Sequence, residues 1–442
     1  MTANPNSLRV SYVLQNVGGV DLASETGDSV PIKYTLQGLR KAGHQVTCLM
    51  LKGRSVVQFD DISQPEKASI AAAGLTGEKP FLFLESGIRR AQRELNLPYF
   101  ALFDALRFYE ACSRALPRSN LCHEHNGLFC AGAALACARL ALPYVLTFSA
   151  DPLFELELVG DPLRGLHKLV AVWEAKLSFR VANRILCVSE PAKQQLVDVW
   201  KVDPEKIVVM PNGVDPELFK PLKSDSSFRR RLAIEDAPVV GFVGGFRSWH
   251  GVDLLVESFA QVLAEFPQAR LVLVGDGPVR PDLERLIRKL ELGRSVILAG
   301  LMPHNQIPEM LATFDVAVLP YPRLPRELWF SPLKLYEYMA AGKAIVAAGS
   351  GQIVEVIQHD VNGVLVKSGD VGELTQAIVG LLRDPAKRSR LGKLAREQAI
   401  ERHSWDMYIK RLEGIYSEVL QECENGGSVK IRPAKTAGVP LR

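Results

Sequence analysis

Short apolar runs alternate with longer amphipathic segments along most of the chain. LRVSYVLQ (residues 8–15) is followed by a polar loop and by VPIKYTLQGLRKAGH (30–44), whose apolar positions have helical spacing. A second apolar run, QVTCLML, occupies residues 45–51. A strand, a loop, a helix and another strand in this order predict the start of a parallel α/β domain.

The alternation is most regular in the second half. VVGFVGGF (239–246) is followed by the amphipathic segment GVDLLVESFAQVLAEF (251–266) and the apolar run ARLVLVGDG (269–277). Strands separated by helices of about 10–15 residues are typical of a doubly wound parallel sheet. We therefore predict an α/β protein with two Rossmann-like halves whose sheets face each other across a cleft.

The domain limits follow from composition. We predict a first domain over 1–218, a second over 219–405, a helix over 406–422 and a flexible tail over 423–442. FKPLKSDSSFRRRLAIEDAP, residues 219–238, is polar and flanked by prolines, which is typical of a linker. Residues 50–120 are less regular and are predicted to form an insertion in the first domain. Its helical segments are ASIAAAGL (68–75), GIRRAQRELN (87–96) and ALFDALRFYEACSRAL (101–116).

Composition excludes several classes of protein. The chain has 442 residues and a net charge of +4, with basic residues scattered rather than striped, so we expect no nucleic-acid partner. Seven cysteines form no zinc-ligand pattern, which indicates reduced thiols in the cytoplasm. We expect no signal peptide and no membrane span. A peripheral contact with an anionic membrane, at its inner face, stays open.

Several candidate residues follow strands of the second half. Ligands of open α/β sheets bind beyond the carboxyl ends of the strands. Gly244 and Gly245 come directly after the first such strand, and Arg247 and His250 offer positive charge near the next helix. Basic groups at a helix N-terminus suit a diphosphate, although a glycine turn with solvated charges has the same sequence.

The stretch SPLKLYEYMAAG, residues 331–342, carries the strongest candidate chemistry. Pro332 suits the first turn of a helix, which makes Ser331 the candidate N-cap. Lys334 and Glu337 lie three residues apart on neighbouring faces of that helix. The acid can accept hydrogen bonds from two ribose hydroxyls, and the lysine can face phosphate oxygens. The alternative is a solvent-exposed Lys-Glu pair.

The first half offers weaker candidates at comparable places. Gly18 and Gly19 follow the first strand, where glycines let backbone amides approach an anion or simply form a tight turn. Two further groups are candidate contacts for a sugar or an acceptor, with solvated side chains as the alternative. They are His123, Glu124 and His125, and then Ser149 and Asp151.

The order of these segments resembles family 4 of the retaining glycosyltransferases, which have the GT-B fold. The resemblance rests on LPYVLTFSA, ILCVSEPAKQQL, VVMPNGVDPELF, FVGGFRSWHGVDLLVESF and SPLKLYEYMAAGKAIVA, and covers residues 50–120 least. It implies that the first domain binds an acceptor and the second a nucleotide sugar. It also implies that residues 406–422 form a helix that returns to the first domain.

The resemblance transfers roles position by position. Glu337 matches the second acid of the family's acid-x7-acid motif, the ribose ligand, whereas the first acid falls at Trp329. The chain is similar to a subgroup that has SPLK here. The family's basic pair falls at Gly245 and His250, so that Arg247 or Lys334 substitutes for the missing charge. The family's histidine falls at Ser149.

Taken together, the resemblance implies a retaining, metal-independent transfer from a nucleoside-diphosphate sugar to a sugar, lipid-linked or small-molecule acceptor, as in polysaccharide biosynthesis, without a cofactor. Lys334, Arg247, His250 and Glu337 are the predicted catalytic residues. The predicted donor contacts are Gly18, Gly19, Asn212, Gly244, Gly245, Gly275, Pro320, Ser331, Pro332, Leu333 and Glu337. The departures at 149, 245 and 329 leave two alternatives: a non-catalytic regulatory partner that binds a sugar nucleotide, and a GT-B epimerase or hydrolase. A dehydrogenase is disfavoured because no G-x-G-x-x-G follows the first strand.

Overall fold

The computed structural model describes residues 7–15, 29–60, 69–70, 74–95, 102–158, 160–223, 226–324, 327 and 329–425. Two α/β units account for these residues, each built on one sheet. Gly18 and Gly19 lie outside the described residues, as does the part of the predicted tail from 426 onward.

Eight described strands form the first sheet and six form the second. The first contains β1 (Arg9–Leu14), β2 (Gln45–Lys52), β3 (Ser55–Phe59), β4 (Ser69–Ile70), β5 (Leu121–His125), β6 (Tyr144–Phe148), β7 (Arg184–Cys187) and β8 (Ile207–Val209). The second contains β9 (Val239–Val243), β10 (Arg270–Val274), β11 (Val296–Gly300), β12 (Val316–Leu319), β13 (Ala344–Ala348) and β14 (Val364–Val366).

The described α-helices connect these strands. In the first half they are α1 (Ser29–Lys41), α2 (Lys79–Glu94), α3 (Leu102–Ala115), α4 (Gly132–Leu140), α5 (Pro152–Leu158), α6 (Gly165–Val181) and α7 (Glu190–Asp198). In the second half they are α8 (Ser226–Arg231), α9 (Val252–Glu265), α10 (Arg280–Lys289), α11 (Ile307–Ala312), α12 (Leu333–Ala340), α13 (Ile353–Val356), α14 (Val371–Arg383), α15 (Pro385–His403) and α16 (Trp405–Glu424).

The strand order places a crevice in each sheet. The second sheet runs β11-β10-β9-β12-β13-β14 and is parallel throughout its described pairs. The first sheet runs β4-β3-β2-β1-β5-β6-β7-β8, with β3 and β4 antiparallel at one edge. Chain direction across the sheet reverses at β1/β5 and at β9/β12. Ligands of such sheets bind at these two places. The two observed sheets confirm the predicted α/β class with paired Rossmann-like sheets.

The helices bury both faces of the first sheet. Helices α3, α4 and α6 pack on one face, and α1 and α16 pack on the other. Helix α16 is the last described element, yet its side chains Ile409, Leu412 and Tyr416 complete the core around β1 and β2. Its Tyr416 hydroxyl lies 2.6 Å from Nδ1 of His123 on β5. Helix α16 therefore packs on the first unit.

Two expectations for local structure need correction. Within ASIAAAGL, predicted to be helical, Ser69–Ile70 is strand β4 at the sheet edge, and residues 71–73 lie outside the described part of the chain. The segment 219–238, predicted to be a linker, contains α8, and its Phe228 and Ile234 are buried in the second core. The apolar side chains of this polar segment decide its packing. The sequence pattern also failed to predict α15, a 19-residue helix.

Candidate active site

The loops after β9, β10 and β11 are tied together by backbone hydrogen bonds at the carboxyl edge of the second sheet. The Gly244 amide donates to the Val274 carbonyl at 2.9 Å, and the Gly275 amide donates to the Gly300 carbonyl at 2.8 Å. Phe246 in turn donates to the Asp276 carbonyl at 2.8 Å. These bonds fix a shelf of loops beside the switch point between β9 and β12.

Two glycines allow the shelf to pack closely. Gly244 has φ +143° and Gly275 has φ +133°, conformations that side-chain-bearing residues rarely adopt. A Cβ at Gly275 would collide with the Gly244 carbonyl, and a Cβ at Gly244 would collide with Nζ of Lys334. Gly245 differs, because the nearest heavy atom to a Cβ there lies 3.8 Å away. Gly244 therefore serves a close approach of backbone to lysine, and Gly245 leaves open space.

Lys334, on the first turn of α12, directs its ammonium under this shelf. Its Nζ lies 4.4 Å from the ring centroid of Phe242 and 5.9 Å from that of Tyr321. Nζ is buried and has no hydrogen-bond partner among the described residues, and the same is true of the Tyr321 hydroxyl. Burial lowers the pKa of Lys334 to about 7, opposed by the charge of Glu337. A buried ammonium without an anion is costly, so this place favours an anionic ligand.

His250 does not supply the positive charge expected of it. Its Nδ1 lies 2.5 Å from the Gly245 carbonyl oxygen, and because a carbonyl only accepts, Nδ1 carries the proton. Burial and the nearby Lys334 lower the pKa of His250 to about 3. The imidazole is therefore neutral near pH 7 and anchors the loop. Arg247 keeps its charge at an exposed position, with its guanidinium carbon 5.7 Å from the Trp249 ring centroid.

Glu337 lies one turn further along α12. Only 8% of this residue is exposed, and its Oε1 is 2.8 Å from Nε2 of His304. His304 begins the short 3-10 turn after β11, and its ring centroid is 5.1 Å from that of Phe219. His304 is not among the residues that the sequence pattern predicts for the site. The pairing joins two segments 33 residues apart, and no spacing rule predicts it.

The N-terminus of α12 is not capped in the predicted way. Pro332 is the N-cap, Leu333 is the first helical residue, and no side chain caps the helix. The Ser331 hydroxyl instead accepts a hydrogen bond from the Asn212 amide at 3.0 Å and donates one to the Tyr336 hydroxyl at 3.3 Å. The Asn212 side chain also donates to the Ser331 carbonyl at 2.8 Å. Ser331 and Asn212 therefore join the two units.

Trp329 occupies the position of the missing first acid and packs on the first unit. Its ring centroid is 4.4 Å from that of Phe154, and the Ser189 hydroxyl donates to its carbonyl. Only 4% of Trp329 is exposed, and its indole Nε1 has no partner among the described residues. A polar donor of the second unit is thus left unused beside the first.

His123 and Glu124 are corrected as candidate ligand contacts. Both have 0% exposure on β5, which is covered on both faces of the sheet. His123 is held by Tyr416 and by Thr147, each at 2.6 Å, and the Tyr144 hydroxyl donates to Glu124 at 2.5 Å. Burial lowers the pKa of His123 to about 3 and raises that of Glu124 to about 8. Both residues are therefore held by partners inside the first unit.

Asp151 is likewise structural, whereas His125 and Ser149 reach the sheet edge. Asp151 accepts hydrogen bonds from the Leu153 amide at 3.0 Å and the Trp200 indole at 3.0 Å, which fixes the start of α5. The Ser149 hydroxyl lies 3.0 Å from Nε2 of His125. Nδ1 of His125 has no partner within the described ranges, and burial lowers the pKa of this imidazole to about 4.

The remaining predicted contacts take their places around the shelf. Pro320 follows β12 directly, and its carbonyl lies against the backbone of Gly251. Among the described residues, no three His, Cys, Asp or Glu side chains gather as a metal site. No described helix has the length and apolar character needed to cross a membrane.

Two family models cover consecutive parts of the chain. Residues 29–218 match the model for Glycosyltransferase Family 4, and residues 224–398 match the model for Glycosyl transferases group 1. A D-inositol 3-phosphate glycosyltransferase of Stackebrandtia nassauensis is 32% identical over 319 residues, which are 68% of each protein. An alpha-D-kanosaminyltransferase of Streptomyces kanamyceticus is 26% identical over 61% of this chain and 68% of that protein.

Solved structures of similar fold agree with these matches. HepE of Anabaena in complex with UDP superposes with a TM-score of 0.65 at 19% identity, over 93% of this chain and 100% of that one. Sucrose-phosphate synthase of Thermosynechococcus elongatus gives a TM-score of 0.68 at 21% identity, over 94% and 99%. The fold is GT-B. The chain belongs to the glycosyltransferases that the Glycosyltransferase Family 4 and Glycosyl transferases group 1 models describe.

Proposed function

We propose that this protein is a retaining glycosyltransferase that moves a sugar from a nucleoside diphosphate to an acceptor without a metal ion. The observation that carries the proposal is Lys334. A buried ammonium with no described anionic partner lies under a glycine shelf at the carboxyl edge of the second sheet. Helix-end amides and a cation at such an edge suit a diphosphate. HepE of Anabaena, which has a similar fold and was solved in complex with UDP, supports the same ligand class by analogy.

The residues of the shelf divide the work of donor binding. Lys334 and the exposed Arg247 neutralise the two phosphates, and the amides near Gly244 and Gly245 approach them. Glu337 accepts hydrogen bonds from the ribose hydroxyls. As the bond between the sugar carbon and the phosphate oxygen breaks, negative charge grows on the diphosphate, where Lys334 stabilises it. In a front-face substitution the departing phosphate oxygen takes the acceptor proton, so configuration is retained without a protein base.

The first unit holds the acceptor in this proposal. His125 and Ser149 lie at its carboxyl edge, and the unpartnered His125 Nδ1 and Trp329 Nε1 are available to hydroxyl groups or to the donor sugar. The His125 imidazole and the Trp329 indole are both neutral polar groups. They suit a polyhydroxyl ligand between the two units.

A second candidate function is a regulatory partner that binds a nucleotide sugar without turnover. Trp329, in place of an acid, is what favours it, because its ring is committed to Phe154 of the first unit. The same position would also explain slow transfer. Donor hydrolysis and transfer assays separate the two functions.

A calorimetric and thermal-shift screen tests the main proposal. UDP, GDP, ADP and TDP, and their glucose conjugates, are titrated into the full chain in the presence of EDTA. One of these families should raise the melting temperature through binding to the native state. Transfer of the matching sugar to any of a panel of acceptors, undiminished by EDTA, supports the main proposal. Binding without transfer or hydrolysis supports the regulatory candidate, and no binding by any nucleotide overturns both.

We also propose that an anionic lipid surface binds the outer side of the first unit. Helix α2 is inverted relative to an ordinary amphipathic helix: Glu85 is buried in an ion pair with Arg107, whereas Phe83 and Leu84 are 82% and 57% exposed. Arg90 and Arg93 are exposed further along the same helix. On α6, Leu166, Leu169 and Trp173 are exposed, and Lys168 and Lys176 of the same helix are exposed as well.

Apolar side chains that alternate with basic ones suit the interface of an anionic bilayer. Co-sedimentation with phosphatidylcholine vesicles, with and without phosphatidylglycerol, tests this surface. We expect binding that needs the anionic lipid and is lost in the Phe83→Ser, Leu84→Ser double variant. Dimers in light scattering that the same variant abolishes, without vesicle binding, would assign the surface to a second copy instead.

A further inference from the structure

The contact between His304 and Glu337 has a consequence for nucleotide recognition. We infer that His304 is a positioning residue, which orients the Glu337 carboxylate for the two hydroxyls of a ribose. The inference rests on the proposed function, since it assigns a supporting side chain to the same site. It predicts a preference for ribonucleotides over 2′-deoxyribonucleotides that depends on His304.

The geometry leaves one carboxylate oxygen for the ligand. Nε2 of His304 lies 2.8 Å from Oε1 of Glu337, a hydrogen-bond distance, and only 14% of the histidine side chain and 11% of the glutamate side chain are exposed. With Oε1 held, rotation of the carboxyl group is restricted and Oε2 has a fixed direction. A carboxylate has about four acceptor sites, enough for the histidine and for two hydroxyls.

His304 is itself held from the other side. Its ring centroid is 5.1 Å from that of Phe219, which is 1% exposed. The carbonyl of Phe219 accepts a hydrogen bond from the Arg396 guanidinium at 3.3 Å, and the same guanidinium donates to the carbonyl of Ala340 at the end of α12. A chain of contacts thus connects the histidine to both ends of the helix turn that carries Glu337. A side chain fixed in this way transmits its orientation to the carboxylate.

The test compares affinity for UDP, GDP and ADP with affinity for their 2′-deoxy forms. It uses the full chain and isothermal titration calorimetry. Wild-type protein should prefer the ribonucleotide by about tenfold, the effect of one charge-assisted hydrogen bond. Glu337→Gln and His304→Ala should both reduce this ratio toward one. His304→Gln, whose side-chain amide can reach the place of Nε2, should restore it.

The control is a second histidine–carboxylate pair in the same unit. His359 lies 3.7 Å from Asp360, both exposed, in the loop before β14 at the opposite edge of the sheet. His359→Ala should leave the ratio unchanged. Thermal melts of every variant report on folding separately.

Each outcome decides a different claim. If Glu337→Gln removes the preference and His304→Ala keeps it, the role of His304 is overturned while the proposed function stands. If His304→Ala weakens ribonucleotide and deoxyribonucleotide equally, the histidine is only structural and the inference is again overturned. If wild-type protein binds neither these six nucleotides nor TDP, the proposed function and the inference fail together. Binding of TDP alone would overturn only the inference.

Discussion

The ionisable side chains buried near the carboxyl edges of the two sheets differ in their pairing. In the first sheet, the carboxyl groups of Glu124 and Asp151 each accept a hydrogen bond from a neighbouring side chain, although Oε1 of Glu124 and Nδ1 of His125 have no described partner. In the second sheet, the whole ammonium group of Lys334 is buried with no described hydrogen-bond partner. Burial of a polar group is tolerated when it is paired and is costly when it is not. The paired carboxyl groups thus maintain the fold, whereas the unpaired ammonium of Lys334 lies at a place that favours an anionic ligand.

The largest expected effect is on stability, in the first sheet. Asp151→Ala removes a buried acceptor that serves the Trp200 indole, the Gln195 amide and the start of α5. We expect a loss of about 3 kcal/mol in the free energy of unfolding, because several buried donors lose their partner. Urea denaturation measures it. Asp203→Ala, an exposed cap, is the matched control and should cost about 1 kcal/mol. Unchanged stability in Asp151→Ala would contradict the structural role.

In the second sheet, Lys334→Met should lower nucleotide affinity without lowering stability. Loss of a charge-assisted contact to phosphate should weaken nucleotide binding by about 2 kcal/mol, roughly 30-fold. The melting temperature should hold or rise, since an unpaired buried charge is replaced by an apolar chain of similar length. Calorimetry and thermal melts check both. In the control Lys343→Met, a half-buried lysine that donates to the Phe314 carbonyl is removed, so stability should fall and affinity should not. A parallel loss of stability and affinity in Lys334→Met would remove the contrast.

The pH dependence of binding sharpens the assignment of the cation. The pKa of Lys334 is lowered to about 7, against 10.5 for an ordinary lysine. Above pH 7 the free protein carries a neutral Lys334, so nucleotide affinity should fall by up to about tenfold, or about 1.4 kcal/mol, per pH unit. Titrations in buffers of different ionisation enthalpy should show proton uptake on binding. Affinity independent of pH between 7 and 9 would exclude this lysine as the phosphate ligand.

The same shift fixes the sign for stability. Between the folded pKa near 7 and the unfolded value of 10.5, the unfolded chain binds more protons at Lys334 than the folded protein does. The contribution of this group to stability therefore rises with pH across that window. The rise should be absent from Lys334→Met.

The smallest expected effect is a gain. Gly245 has room for a side chain, because a Cβ there would lie 3.8 Å from the nearest heavy atom. It also occupies the position where the family that the sequence resembles has a basic residue. Gly245→Arg should improve nucleotide affinity by about 0.5–1 kcal/mol through added charge near the phosphates. Gly244→Arg is the control and should fold poorly, because its side chain would collide with Lys334. Weaker binding in a well-folded Gly245→Arg would place the phosphates elsewhere.

The sequence predicted what depends on local periodicity. The strand–helix alternation predicted both sheets. The glycines after β9, and Lys334 at the start of the helix that follows Ser331 and Pro332, were predicted as site residues from their positions after strands. Residues whose surroundings come from distant segments were not predictable in this way. His304 pairs with Glu337 across 33 residues, and Ser331 bonds with Asn212 across 119 instead of capping its own helix.

The prediction that His123 and Glu124 in HEHN (123–126) contact a ligand was wrong for a related reason. Polar residues at a strand end suggest exposure, but β5 is central and covered on both faces, so its polar side chains had to find partners inside.

Within the described residues the chain passes between the two units twice, and both passages lie side by side. Val214 on the outward passage exchanges backbone hydrogen bonds with His403 and Trp405 on the return, at 2.8 and 3.0 Å. Two adjacent connections favour rotation of one unit relative to the other about an axis that passes through both connections. If the two units open in this way, the displacement is smallest at Val214 and largest at the edges of the units furthest from these connections.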